Sequence, residues 1–100
     1  MLGAALAGLA AGVAYAAVVT VDQKNLKFSV PQLVVAKGDS VIFLNSDDTS
    51  HNISIVGQGF SASSGLQSPG EPFRVQLMKT GAYQVTCRIH PRMRMTVIVK

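Results

Sequence analysis

"GAYQVTCRIHPRMRMTVIV", Gly81 to Val99, holds two extended runs joined by a turn. In the first run Tyr83, Val85 and Cys87 fall on one side of the chain and Gln84 and Thr86 on the other, the period of two that a half-buried strand requires. Met95 to Val99 is mostly β-branched and closes the chain as a final strand. The same grammar runs backward through the chain. Phe73-Arg74-Val75-Gln76-Leu77 alternates, with Lys79-Thr80-Gly81 turning it into the next strand. His51-Asn52-Ile53-Ser54-Ile55 alternates with His51, Ile53 and Ile55 on one face, after a loop of turn formers from Asn45 to Ser50. Ser40 to Asn45 is a nearly continuous apolar strand following the Lys37-Gly38-Asp39 turn. Leu33 to Ala36, the segment around Phe28 and Val30, and Val18 to Val21 supply the rest, with Pro31 placed as at an edge or bend.

No stretch after residue 20 sustains a period of 3.6, so the domain is all-β. Seven to eight short strands at regular spacing predict an antiparallel Greek-key β-sandwich. Gly57 to Pro72 carries four Gly, four Ser and two Pro and reads as a long surface connection. Tyr83, after a Gly and entering the penultimate strand, suits a tyrosine corner.

The chain of 100 residues leaves room for one compact domain. Met1 to Val19 is uncharged and rich in Ala, Leu, Gly and Val, and Ala14-Tyr15-Ala16 offers the small-x-small pattern that signal peptidase reads. Residues 1–16 are therefore expected to be a signal peptide and 17–100 the mature, periplasmic domain; a retained N-terminal anchor is the alternative, and the only route to a membrane. About 84 residues then remain, a size that buries only ~60% of the surface its unfolded chain exposes. An exported chain this small often adds disulfides, yet its single cysteine has no partner, and a leftover thiol needs burial or a bound group. The net charge of +4 is spread over Lys24, Lys27, Lys37, Arg74, Lys79 and Lys100, without runs or aromatic interleaving, which excludes a nucleic-acid signature. Only Arg88, Arg92 and Arg94 cluster, as a solvated rim or as a docking surface for an acidic partner.

Cys87 stands on the buried face at the end of its strand, and His90 and Met93 follow on the turn, where both can fold back toward the sulfur. The fourth donor is His51, the other histidine, which opens a strand that a sandwich can bring to the same end. One thiolate, two imidazoles and one thioether form a soft donor set of the type 1 copper kind, two His and a Cys with a weak axial Met. Zinc rarely accepts a methionine. A nucleophilic Cys87 with His90 as base needs an exposed thiol, which the inward-facing position denies, so no enzyme is expected.

These residues resemble the cupredoxins, small blue copper proteins, in their amicyanin and plastocyanin group. Ser50-His51-Asn52 resembles the segment of the first ligand, and Cys87-Arg88-Ile89-His90-Pro91-Arg92-Met93 the short amicyanin-type ligand loop. The likeness runs from Val18 to Lys100, with Lys37-Gly38-Asp39 and Gly81-Ala82-Tyr83 at the family's turn and its approach to the Cys. It implies one copper ion per chain on His51, Cys87, His90 and Met93. Met95 stands at the wider plastocyanin spacing; Met93 is chosen because the final strand then starts in the amicyanin register, leaving Met95 to packing. Asn52 resembles the residue that ties the first ligand's strand to the Cys loop. His90 is expected at the surface as the electron's route, beside Pro91 and a rim of Arg88, Arg92 and Arg94. The function implied is single-electron transfer by a monomer between redox partners, by analogy a periplasmic dehydrogenase and a c-type cytochrome, with no small-molecule substrate. A periplasmic copper carrier using the same ligands is the alternative.

Overall fold

A computed structural model describes residues 15–100, so most of the segment expected to be a signal peptide lies outside the described residues. The described chain forms nine strands and no helix: β1 (Val18–Lys24), β2 (Lys27–Phe28), β3 (Gln32–Val35), β4 (Ser40–Asn45), β5 (Ile53–Gly57), β6 (Phe60–Ser63), β7 (Phe73–Gln76), β8 (Gly81–Cys87) and β9 (Arg94–Val99). They make two sheets, ordered β2-β1-β4-β7 and β3-β9-β8-β5-β6. The Greek-key β-sandwich expected from the alternation is present, with two refinements.

The first concerns direction. Most neighbours are antiparallel, but β1 runs parallel to β4 and β3 parallel to β9. The cause lies around Pro31, where the chain leaves one sheet for the other: the Pro31 carbonyl accepts from the Thr96 amide at 3.1 Å, and β3 begins along β9. After the Lys37-Gly38-Asp39 turn, with Gly38 at φ +94°, the chain returns to the first sheet as β4 beside β1. Asp39 fixes that turn by accepting from the amides of Ala17 and Ala36, each at 2.9 Å.

The second refinement concerns Gly57 to Pro72, which is more than a surface connection. Gln58 (φ 54°) and Gly59 (φ 73°) take the left-handed conformation that closes a two-residue hairpin, and β6 pairs with β5 as an edge strand. Further on, Gln67 is buried and exchanges both backbone hydrogen bonds with His51, at 3.0 and 2.7 Å.

Inward positions of both sheets fill the core: Val21, Val41, Phe43, Ile53, Ile55, Val85 and Val97 are fully buried. Each such side chain stabilises the fold by roughly 1.5–3 kcal/mol relative to exposure. Tyr83 joins them, and its hydroxyl donates to the Lys79 carbonyl at 2.7 Å, the tyrosine corner expected at this strand entry. Among the described residues no helix is long and apolar enough to cross a membrane.

Candidate metal centre

β8 ends at Cys87 and β5 lies antiparallel beside it, with Ile53 opposite Cys87. That register carries His51, two residues before Ile53, past the end of the sheet and over the sulfur. The loop from Arg88 to Met93 then folds back on itself. The Met93 amide donates to the His90 carbonyl at 2.9 Å, the Cys87 amide to the Met93 carbonyl at 3.2 Å, and the Arg88 amide to the Asn52 carbonyl at 2.9 Å.

Three donor atoms converge as a result. Cys87 Sγ lies 3.7 Å from His51 Nδ1 and 3.7 Å from His90 Nδ1, and the two imidazole nitrogens are 3.2 Å apart. The sulfur and His51 are buried and His90 is half-buried. The Asn52 amide donates to Sγ at 3.4 Å. Bonds of ~2.0 Å from imidazole and ~2.3 Å from thiolate, set in a plane, separate their donors by ~3.5 Å between nitrogens and ~3.7 Å between nitrogen and sulfur. The observed triangle fits one ion of that kind.

The tautomer of His51 agrees. Its Nε2 lies 2.8 Å from Asp47 Oδ2. Burial pushes the Asp47 pKa upward, but the hydrogen bond from His51, the amides of Leu26 and Asn25 and the charge interaction with His51 together hold it below its ordinary value of 3.8. An ionised carboxylate only accepts, so Nε2 carries a proton and Nδ1 is the nitrogen left to face the centre. Asp47 was not among the residues singled out in the sequence, where the Asn45 to Ser50 loop read as local turn chemistry. Its signal was the spacing of four before His51, within a polar loop leading to a ligand.

Met93 is 2% exposed and lies outside the apolar core cluster. Met95 is equally buried but belongs to that cluster, opposite Val85 in the β8–β9 ladder. Asn52 ties the two ligand segments through its main chain, while its side-chain Oδ1 accepts from Ser63 at 3.1 Å. Outside the triangle a cleft of about 550 Å³ is lined by His90, Pro91, Ile89, Arg92, Leu26 and Lys27 among others. Ile89 and Leu26 are exposed apolar groups, and Arg88, Arg92 and Arg94 stand around them in solvent.

Comparison with known proteins agrees with this centre. Residues 15–100 match the family model "Copper binding proteins, plastocyanin/azurin family". Amicyanin of Paracoccus denitrificans is 33% identical over 95 residues, covering 91% of this chain and 71% of that protein. Among solved structures, a reduced Cu(I) form of an amicyanin variant at pH 4 superposes with a TM-score of 0.76 at 29% identity, covering 91% of this chain and 89% of the other. The copper-containing nitrite reductase of Thermus scotoductus SA-01 superposes with a TM-score of 0.76 at 26% identity, over 82% of this chain but 22% of that one.

Proposed function

The chain belongs to the plastocyanin/azurin family of copper-binding proteins, and from that premise we propose that it is an exported carrier of single electrons, holding one copper ion on His51, Cys87, His90 and Met93. The observation that carries this reading is the convergence of the Cys87 sulfur and two imidazole nitrogens within 3.2–3.7 Å of one another at one pole of the sandwich. Copper supplies a one-electron couple there, and amicyanin structures exist in both oxidised and reduced forms.

The protein's part is to hold the donors still. His51 is fixed from behind by Asp47 and through its backbone by Gln67. Cys87 is fixed by the β8 ladder and the Asn52 amide. The short hydrogen bonds of the Cys87–Met93 loop hold His90 and Met93 in step with both. Met93, buried at the end of the ligand loop and apart from the core, would supply the thioether to the ion, and Met95 packs. Little then moves when the charge at the site changes by one, which suits electron transfer. His90 is the route to the exterior, since its half-buried ring lines the cleft. Redox proteins are the partners; the basic rim favours an acidic one, and a periplasmic dehydrogenase and a c-type cytochrome are the proposed pair.

Cyclic voltammetry of copper-loaded protein with a Cu(I) chelator in solution tests this. A reversible one-electron wave with copper retained over many cycles is the expected result. Loss of copper to the chelator at each reduction would instead make the ion a cargo and the protein a copper carrier.

A further inference from the structure

Lys24 and Lys27 are joined by a two-residue turn in which Asn25 and Leu26 both take positive φ, 55° and 58°. Asparagine tolerates that conformation, but leucine does so only when its surroundings hold it there. What holds it is Asp47. The Asn25 amide donates to Oδ1 at 2.6 Å and the Leu26 amide to Oδ2 at 3.1 Å. Oδ2 is the same atom that accepts from His51 Nε2 at 2.8 Å. The carboxylate is itself buried and its amide is fixed by Asn45 Oδ1 at 3.0 Å. The Leu26 side chain, 47% exposed, forms part of the cleft beside His90.

A strained surface turn, a buried charge and a metal ligand thus share one carboxylate. Resting on the copper reading above, we propose that Asp47 is a positioning residue that couples the Asn25–Leu26 turn to His51 and so sets the preference of the site for the oxidised ion. A negative charge behind the imidazole strengthens Nδ1 as a donor and favours the more highly charged state of the ion. The turn opposes it, because each amide bonded to the carboxylate draws charge away from the imidazole.

Two substitutions carry opposite signs. Asp47→Asn removes the charge at nearly constant size and shifts the equilibrium toward the reduced form by about tenfold, a rise in reduction potential of ~59 mV for one electron. Leu26→Pro removes the amide and cannot hold positive φ, leaving the carboxylate less compensated, and lowers the potential. A metal-free arm stands beside them: nitrogen-15 NMR of the wild-type apoprotein shows His51 protonated at Nε2, and Asp47→Asn moves the Leu26 and Asn25 amide resonances together with the imidazole. Potentials unchanged in both variants, shifts of the same sign, or a His51 proton on Nδ1 in the wild type would overturn the coupling. If the wild type takes up no copper, the proposed function fails, and the metal-free arm still decides whether turn and imidazole are joined.

Discussion

Met93 and Met95 are two residues apart and both 2% exposed, yet they face different surroundings. Met95 lies among Val85, Val97 and the rest of the apolar core; Met93 closes the ligand loop. Replacing Met93 by Leu keeps the volume and removes the thioether, so the protein should keep its visible colour while its reduction potential rises, because the oxidised ion loses a donor. Met95→Leu should leave the potential where it was and cost less than about 1.5 kcal/mol of stability. Voltammetry of the two variants side by side checks both. Asp47 has its own signature in acid. Its folded pKa lies below the unfolded value of 3.8, so its ionised form contributes stability above that value and the contribution fades as pH falls through the folded pKa. Urea unfolding of metal-free wild type and Asp47→Asn should differ by ~1.5–3 kcal/mol near neutrality, as for hydrogen bonds to a charged group, with the gap closing below about pH 4. That Cys87 and His90 could meet was legible because their spacing is local and the strand period orients the first of them. Asp47 was not, because turn residues with carboxylates are common and only the tertiary fold brings the Asn25–Leu26 amides to it.

The strands pair as their alternation demands, and the places where sequence reading fell short are long-range. Nothing in Val18 to Val21 or in Ser40 to Asn45 states that they will lie parallel; that follows from the excursion of the chain through the other sheet between them. β6 was hidden because its residues, Phe60-Ser61-Ala62-Ser63, sit in a segment rich in Gly and Ser and form an edge strand with little apolar area. Its hairpin also depends on Gly57, because a Cβ there meets the Ala82 carbonyl oxygen at 2.5 Å and the Tyr83 Cα at 2.9 Å, across to the strand that carries Cys87. Gly57→Ala should therefore cost about 1–3 kcal/mol, the usual penalty for forcing atoms into a packed site. Chemical denaturation gives that number, and a variant as stable as wild type would show that β5 and β8 have room to separate.

Among the described residues there is one apolar core, and the buried free thiol lies outside it, in the donor cluster at one pole. The unpaired cysteine, a puzzle for a domain of this size if it is exported, is accounted for as the thiolate of the proposed copper site. An ion that binds only the folded state adds stability by mass action, ~4.1 kcal/mol at a thousand times its dissociation constant. For a domain of this length each kcal/mol moves the melting temperature by roughly 4–8 °C, so calorimetry should find the copper-loaded protein melting about 15 °C or more above the metal-free one. The most direct measurement is a Cu(II) titration followed in the visible, with wild type and Cys87→Ser in parallel. An intense thiolate-to-copper band that saturates at one equivalent in the wild type and is missing from the variant is the predicted result. A wild-type solution that stays colourless, or a variant that develops the same band, would contradict it.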